Sequence, residues 1–600
     1  MPRMKFDSRK PKNIKKAFKN LFAYLRPYKV PTLISIVLIV FATIFRLIGP
    51  NKLGELANLI ESSIKGEQLS MTNVWKIGAL LIVLYSLGAV FTYVNNLLIT
   101  RVCFKMSQKL RNEISRKINK IPIKYIDKTP YGKVLSTVTN DVDTIGQTLQ
   151  TGITELLGAA VLFLGSLTMM FVINWFMAIC AVISSLIGFS VMFVIIKKSQ
   201  KHFLAHQNRL ADLNGVIEEN YAGQTAIKTC NAKEEMEEKF NAVNEKLYSS
   251  SWKSQIFSGV MHPLMAFVGN LGYVVVCIVG SALAVSGKIE VGVIVSFIIY
   301  IRYFTNPLSQ IAQAMTSVQM AAAASERVFD FLAEEELSNE TEKTAKIENL
   351  KGNVEIEHVK FGYDESKEVI HDFSAKIKAG QKVAIVGATG AGKTTIVNLL
   401  MRFYDVQSGD IKIDGISIYD MTRSQIRDIF AMVLQDTWLF EGTIRENLVY
   451  NKTDVTDEML DKVCEICGIS HIIKSLPHGY DTMLSGETNI SVGQKQLFTI
   501  ARAMLQNAPM LILDEATSNV DTRTEILIQK AMDKLTEGRT SFVIAHRLST
   551  IKNADLILFL KDGDVVESGT HNSLIKKGGY YCELYNSQFS FEGLDDNLTE

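Results

Sequence analysis

Long apolar runs are confined to the first half of the chain. Six stretches are each long enough to cross the roughly 30 Å hydrocarbon core of a bilayer as a helix of about 20 residues, and no run of that length follows residue 310. A single run could be a buried core helix, but six in one half predict an all-α transmembrane domain. The runs lie near Val30–Asn51, Trp75–Thr100, Thr151–Asn174, Trp175–Lys197, Phe257–Val285 and Glu290–Gln310.

Charges between the runs predict their orientation. Residues 1–29 hold ten Lys and Arg against one Asp, and the connections 101–150 and 197–256 also begin with Lys and Arg. Because basic residues prefer the cytoplasmic side, both termini are expected inside the cell. The two long connections predict helical arms of about 35 Å that leave the membrane and return. No cleaved signal peptide is expected, and residues 14–25 have the spacing of a helix lying in the bilayer surface.

The pattern changes after residue 332. Residues 333–352 are polar and charged, which predicts a linker, and beyond them short apolar strands alternate with helical segments. Such alternation is typical of an α/β domain. We therefore expect a transmembrane domain in residues 1–332, with an N-terminal elbow helix, and a nucleotide-binding domain in 353–600. The expected strands are Val383–Val386, Ile411–Ile413, Met510–Leu513, Ser541–Ala545 and Leu556–Phe559, with a helix over Thr394–Arg402.

Composition agrees with this division. The chain has 600 residues, of which 47% are hydrophobic and 21% charged, and its net charge is +2. These values exclude a disordered or collagen-like chain, and the near-neutral charge argues against a nucleic-acid partner. The mean hydropathy of +0.14 averages an apolar half and an ordinary half. Seven cysteines without framework spacing predict reduced thiols.

A glycine-rich segment carries the first chemical signal of the second half. The segment fits the pattern GxxxxGK[ST] between an apolar strand and a helix. Its glycines allow main-chain N–H groups to approach phosphate oxygens, Lys393 reaches the β and γ phosphates, and the Thr394 hydroxyl can hold Mg²⁺. The candidate nucleotide-binding residues are Gly387, Ala388, Thr389, Gly390, Ala391, Gly392, Lys393, Thr394 and Thr395.

Two acids end a later apolar strand. Asp514 and Glu515 follow Met510–Leu513, and ligand chemistry in α/β sheets gathers at such strand ends. Asp514 is the candidate for anchoring Mg²⁺, and Glu515 for orienting and deprotonating the attacking water.

Ile490-Ser491-Val492-Gly493-Gln494 stands between these two motifs. With it, the whole chain resembles an ABC transporter half of the exporter type, as found in bacteria, with its membrane domain fused ahead of its ATPase. The resemblance implies an ATPase that drives transport across the cell membrane, with ATP held between the phosphate loop of one subunit and the signature sequence of another. It also assigns further residues. Tyr363 is placed as the adenine-stacking aromatic, Gln435 as the glutamine that senses Mg²⁺, His546 as the histidine that holds the γ-phosphate, and Ser491, Gly493, Gln494 and Asp521 as nucleotide contacts.

The signature departs from the family's LSGGQ at Val492. A branched side chain replaces the glycine that would let backbone approach a phosphate. An altered signature beside an intact Glu515 and His546 favours one subunit of a heterodimer with one competent and one degenerate ATP site. A homodimer that tolerates the valine is the alternative.

Polar residues on the sixth run suggest a substrate path. Arg302, Asn306 and Gln310 recur every four residues and share a helical face. Arg302 lies about 18 Å into the membrane, where an ionisable residue faces protein or water; a structural ion pair is the alternative. Arg46 lies about 24 Å across the first run, where it can snorkel to the outer interface. Cys464 and Cys467 fit an amphipathic helix, and no second cysteine pair follows to suggest zinc.

The residues and the resemblance together predict ATP-driven export of an amphipathic drug, lipid or peptide by alternating access. Membrane lipids and a second half-transporter are the expected partners. Two rival functions stay open, an ATP-gated regulator or channel without coupled transport and an importer built on the same fold. A soluble ATPase of the chromosome-maintenance kind is excluded by the six runs.

Overall fold

The computed structural model describes residues 14–66, 70–343, 345, 350–364, 367–435, 437–484, 490–514, 520–544 and 548–589. They form two compact units. The first, the membrane unit, contains the described residues up to Asn119 together with Pro130–Glu334. The second, the ATPase unit, contains Lys120–Thr129 and the described residues from Glu335 onward.

The membrane unit is helical, and its described residues include six helices long and apolar enough to cross a bilayer, as predicted. The longest, of 48 and 53 residues, span about 72 and 80 Å and so extend far beyond the bilayer core. The helices are α1 Ile14–Leu25, α2 Lys29–Ile64, α3 Met71–Ile118, α5 Tyr131–Ser136, α6 Val142–Ile173, α7 Trp175–Ala222, α8 Gln224–Thr229, α9 Lys233–Val285 and α10 Val291–Ala333, with 3₁₀ and π turns at Arg26–Tyr28 and Thr137–Asp141; α4, Ile123–Lys128, belongs to the ATPase unit.

Close backbone approach and a few polar contacts fix these helices against one another. A Cβ on Gly292 of α10 would lie 2.0 Å from the carbonyl oxygen of Gly54 in α2, so glycine is required where the two helices meet. The buried Tyr300 hydroxyl donates to the Leu47 carbonyl oxygen at 2.7 Å. Near the C-terminal end of α10, Arg327 donates to both carboxylate oxygens of Asp141, at 2.6 and 3.0 Å.

The ATPase unit contains two larger sheets. One is antiparallel, in the order β2-β1-β4-β5, and the other has the order β12-β11-β3-β10-β9-β6 with only β12 antiparallel to its neighbour. The strands are β1 Val354–Phe361, β2 Ile370–Ile377, β3 Lys382–Gly387, β4 Ser408–Ile413, β5 Ile416–Ser417, β6 Phe430–Val433, β7 Gly442–Thr443, β8 Met483–Leu484, β9 Met510–Asp514, β10 Thr540–Ile544, β11 Leu556–Lys561 and β12 Asp564–Gly569. The predicted fold class, a six-helix membrane domain followed by an α/β ATPase domain, is confirmed.

Helices cover the faces of the parallel sheet, which is why its central strands are continuously apolar rather than alternating. Val383–Val386 and Met510–Leu513 are all buried. The helices of this unit are α11 Lys393–Leu400, α12 Arg423–Ile429, α13 Ile444–Val449, α14 Asp457–Ile466, α15 Ser470–Ser475, α16 Val492–Gln506, α17 Thr522–Thr536, α18 Leu548–Lys552, α19 His571–Lys577 and α20 Tyr580–Phe589, with a 3₁₀ turn at Gly479–Asp481. Cys464 and Cys467 are buried in the core beside α16.

Candidate functional site

The glycine-rich loop joins β3 to α11, where the sequence predicted it. Gly390 and Gly392 have φ of 86° and 100°, a left-handed conformation that favours glycine. Lys393 folds back over the loop, and its Nζ donates to the carbonyl oxygens of Gly387 at 2.8 Å and Ala388 at 3.1 Å. Burial lowers the pKa of Lys393, and the charge of Asp514 acts in the opposite direction. The loop therefore holds the Lys393 ammonium at the start of α11. The ammonium and the helix N-terminus both favour a bound anion such as a phosphate.

The ends of neighbouring parallel strands bring oxygen donors to the same edge. Asp514 is the last residue of β9, and Gln435 follows β6, which pairs with β9 in parallel register. The side chains of Thr394 and Gln435 are exposed and that of Asp514 is half-buried. Glu515 and His546, the predicted base and γ-phosphate contact, lie outside the described residues.

These three donors fit Mg²⁺ held together with nucleotide phosphates. Hydroxyl, amide and carboxylate oxygens are ligands that Mg²⁺ accepts, and the ion is commonly bound through one or two carboxylates plus substrate phosphates. Among the described residues, no group of three or more His, Cys, Asp or Glu side chains is arranged to hold a metal without such help.

Tyr363 lies beside the phosphate-loop helix. Its hydroxyl is 3.2 Å from the Thr395 hydroxyl and accepts from Asn398 Nδ2, also at 3.2 Å. Its ring packs edge-on against Phe361 and Tyr404, with centroid distances of 5.0 Å to each. The structure thus brings an aromatic side chain next to the loop, where the resemblance expects one.

The signature segment forms the N-terminus of α16. Ser491 caps the helix, because its Oγ accepts from the Gln494 backbone N–H at 3.2 Å while Gln494 Oε1 accepts from the Ser491 backbone N–H at 3.1 Å. A Cβ on the buried Gly493 would lie 2.5 Å from Thr524 Cγ2 and 2.7 Å from Val520 Cγ1. Val492, in contrast, is 57% exposed. Within this chain, glycine is needed at 493 and a larger side chain is accommodated at 492.

Asp521 caps the helix α17 that packs on the signature helix. Its carboxylate accepts from the Thr524 backbone N–H at 2.9 Å, and this hydrogen bond holds the pKa of Asp521 below its usual value. Asp521 and Gly493 both adjoin Thr524, so the signature segment and Asp521 lie close together in the folded chain.

A segment that the sequence placed in the membrane domain packs within the ATPase unit. The short helix Ile123–Lys128 contributes Ile123 to the core around the antiparallel sheet. Tyr404 donates a hydrogen bond to Asp127, and Lys128 pairs with Asp364. A short run of mixed polarity carries no signal for so distant a contact.

The polar stripe on α10 has the predicted arrangement. Arg302, Asn306 and Gln310 lie within one continuous helix, four residues apart, and their side chains are exposed in the isolated chain. Four-residue spacing keeps them on one helical face.

Two protein-family models match the chain in succession. The model described as ABC transporter transmembrane region matches residues 32–308, and the model described as ABC transporter matches residues 370–518. The two matches coincide with the helical membrane unit and with the region that holds the phosphate loop, the signature segment and Asp514.

Curated proteins similar to this chain are ABC transporters, and two of those described next are named as ATP-binding/permease proteins. A fatty acid ABC transporter ATP-binding/permease protein of Mycobacterium bovis is 41% identical over 522 residues, which cover 87% of this chain and 82% of that protein. An uncharacterised ABC transporter ATP-binding protein of Bacillus subtilis, YfiC, is 36% identical over 97% of this chain and 95% of its own. A probable multidrug resistance ABC transporter of the same bacterium, YheH, is 35% identical over 83% of this chain and 74% of its own.

Proposed function

The chain belongs to the ABC transporters, and we propose that it is one half of an exporter that uses ATP hydrolysis to move amphipathic compounds out of the cell across the cytoplasmic membrane. One observation carries the proposal: a single polypeptide joins six candidate membrane helices to a phosphate loop facing a strand-end aspartate. The names of the relatives, a fatty acid transporter and a probable multidrug resistance transporter, support an amphipathic cargo of drug, lipid or peptide type.

The proposed ATP chemistry follows from the placement of the donors. Main-chain N–H groups of residues 387–392 and the Lys393 ammonium hold the phosphates, while Tyr363 stacks on the adenine. Thr394, Gln435 and Asp514 would hold Mg²⁺, which supplies charge neutralisation on the phosphate oxygens when bound. Glu515 deprotonates the attacking water and His546 contacts the γ-phosphate, as the family resemblance implies.

The proposed active assembly contains two half-transporters. Each ATP lies between the phosphate loop of one subunit and the segment equivalent to Ser491–Gln494 of the other, so one copy cannot complete a site. Val492 favours a different second half-transporter over a second copy of this chain, because its exposed branched side chain lies where a glycine would admit a phosphate most closely. A homodimer is the alternative.

The proposed transport path follows α10. Arg302, Asn306 and Gln310 offer polar groups along one face of the mostly apolar stretch Val291–Ile311 of this helix. An ionisable side chain at membrane depth is favourable only beside protein or water. We place these residues on the cavity that opens to alternate sides as the ATPase domains close and separate.

Transport in inverted membrane vesicles tests the proposal. ATP should drive accumulation of a fluorescent amphiphile inside the vesicles, and Lys393→Ala should abolish it. Accumulation in right-side-out vesicles only would indicate an importer. ATP binding and hydrolysis without accumulation or stimulation by any amphiphile would favour the regulator or channel.

Hydrolysis by different assemblies tests the heterodimer. The chain purified alone should hydrolyse ATP slowly, and co-expression with a second half-transporter that has LSGGQ should raise the rate. Full turnover by a homodimer, equal to that of every mixed assembly, would refute the heterodimer and leave the transport proposal intact.

A further inference from the structure

A cavity of about 570 Å³ lies within the membrane unit between α2, α3 and α10. This volume falls within the range of cavities that bind small molecules, roughly 300–1,000 Å³. The cavity is separate from the stripe formed by Arg302, Asn306 and Gln310, since none of these lines it.

Arg46 is the charged residue of the cavity. Its guanidinium carbon lies 4.9 Å from the centroid of the Tyr303 ring, and none of the described residues lining the cavity is acidic. Among the described residues, no carboxylate is paired with this guanidinium. Arg46 is exposed in the isolated chain, and a guanidinium beside apolar surface is stabilised by an anion or by water near it. The cavity is therefore suited to a ligand with a negative charge.

The rest of the cavity is a long, mostly apolar trough along one face of α3. Lining residues recur from Leu84 to Asn96, a distance of about 18 Å. Small side chains form its floor: a Cβ on Gly88 would meet only the Ala42 carbonyl oxygen, at 3.6 Å, and Ala89 lies beside it. Such a trough has the length of a single extended hydrocarbon chain.

The helix contacts place the cation at one end of this trough. Helices α2 and α3 run antiparallel, because Gly49 abuts the Tyr85 hydroxyl, Ala42 faces Gly88, and Ser35 donates to Asn95. Arg46 lies between Ala42 and Gly49 and is therefore at the Tyr85 end. The order along the cavity is thus a cation beside the rings of Tyr85 and Tyr303, then an open groove that passes Gly88 and Ala89 towards Asn96.

We propose that this cavity is a binding site for a long-chain fatty acid, with its carboxylate on Arg46 and its chain along the face of α3 from Tyr85 towards Asn96. A guanidinium donates two hydrogen bonds in the geometry of a carboxylate, and the groove along α3 receives the hydrocarbon chain. A role for this site in transport rests on the proposed function, but the binding of a fatty acid requires no ATP.

Photo-crosslinking of the full chain in phosphatidylcholine nanodiscs, without nucleotide, tests the site. The probe is palmitate carrying a diazirine, and crosslinked peptides are identified by mass spectrometry. Arg46→Gln should weaken binding at least about tenfold, as expected for a lost charge-assisted hydrogen bond. Arg46→Lys retains the charge and should recover most of the binding. Arg101→Gln is the matched control, since Arg101 lies further along α3 and does not line the cavity.

Competition and a steric variant test the other end of the site. Hexadecanol, which has the chain without the charge, should compete at least about tenfold less well than palmitate. Ala89→Leu, which keeps Arg46 and fills the trough, should weaken palmitate more than octanoate. Equal binding by Arg46→Gln, or equal competition by hexadecanol, would overturn the proposal.

Two further outcomes are distinguishable. If phosphatidylglycerol displaces the palmitate probe at a lower concentration than unlabelled palmitate does, the site holds a bilayer lipid, and the fatty-acid proposal is overturned. If palmitate binds as expected but ATP drives no transport, the proposed function fails and the binding site stands.

Discussion

Replacing Glu340 with glutamine should destabilise the ATPase unit by about 3 kcal/mol. The polar composition of residues 333–352 predicted only a linker, yet Glu340 Oε1 accepts from Arg402 at 2.9 Å and Arg423 at 2.8 Å, and Lys343 pairs with the same oxygen at 3.0 Å. The side chains of Arg402, Arg423 and Glu340 are only 4%, 9% and 11% exposed. The charges are therefore shielded from water, which makes their pairing stronger than that of surface ion pairs.

The magnitude follows from what remains after the substitution. Removing one partner of a buried ion pair costs about 3–5 kcal/mol because the other charge is left uncompensated. Asp405 still pairs with Arg402 at 3.0 Å and with Arg423 at 2.7 Å, so the lower end of that range applies. For a domain of this size, 3 kcal/mol lowers the melting temperature by about 6–12 °C.

Thiol labelling during a thermal ramp measures this unit specifically. Cys464 and Cys467 are fully buried in its core, so their modification in the full-length protein, followed by mass spectrometry, reports its unfolding. Glu342→Gln is the matched control, because Glu342 is exposed. A melting temperature within about 2 °C of wild type for Glu340→Gln would refute the reasoning, since surface ion pairs contribute no more than that.

The pH dependence has a defined sign. Burial alone would raise the pKa of Glu340, but hydrogen bonds from the Arg423 backbone and Lys343, together with the charges of Arg402 and Arg423, hold that pKa below its usual value. A carboxylate with a lowered pKa stabilises the fold above its unfolded pKa, and this contribution is lost as the pH falls through its folded pKa. The difference between wild type and Glu340→Gln should persist at pH 7 and shrink in acid, below the ordinary range for glutamate.

Three other changes have defined outcomes. Gly493→Ala should cost about 1–3 kcal/mol by overpacking against Val520 and Thr524 and should lower ATP turnover; unchanged turnover and stability would show that α17 yields to the added methyl group. Asp127→Ala removes the acceptor of the Tyr404 hydroxyl and should reduce stimulation of ATP hydrolysis by cargo, and stimulation equal to wild type would remove that contact from coupling. Arg302→Cys should react with a water-soluble thiol reagent in at least one nucleotide state, whereas protection in every state would reject a place on the transport path.

Sequence patterns predicted the features that depend on neighbouring residues. The six membrane helices follow from apolar runs, and the phosphate loop follows from a motif whose strand and helix lie beside it. The strand β1 was missed although Val354 and Ile356 are buried in alternation. A register shift between Ile356 and Val359, around the positive φ of His358, interrupts the period of two.

Contacts between distant residues could not be read from local patterns. The pairing of Glu340 with Arg402 and Arg423 joins residues more than sixty positions apart. The local sequence of a charged segment is therefore the same whether or not distant residues form ion pairs with it. The helix Ile123–Lys128 lies more than two hundred positions from the ATPase core that it joins. In both cases the sequence gives the chemistry of the residues and the fold determines their partners.

The two signature positions lead to a prediction about which ATP site is competent. Gly493 is required by Val520 and Thr524 of the same chain, whereas Val492 is exposed and contributes to the surface of the protein. In the proposed heterodimer, Val492 therefore alters the site built on the second subunit's phosphate loop. The site built on Lys393 and Glu515 of this chain is completed by the second subunit's own signature.

Glutamine substitutions in one subunit at a time separate the two sites. Glu515→Gln in this chain should trap ATP and abolish turnover of the heterodimer, because it removes the base from the competent site. Substituting the residue at the corresponding position of the second subunit should reduce turnover far less. Single-turnover hydrolysis of radiolabelled ATP by each singly substituted assembly measures the asymmetry. Equal losses from the two substitutions would mean that Val492 is tolerated and that both sites hydrolyse ATP, as in a homodimer, whereas near wild-type hydrolysis by Glu515→Gln would remove Glu515 from the role of base.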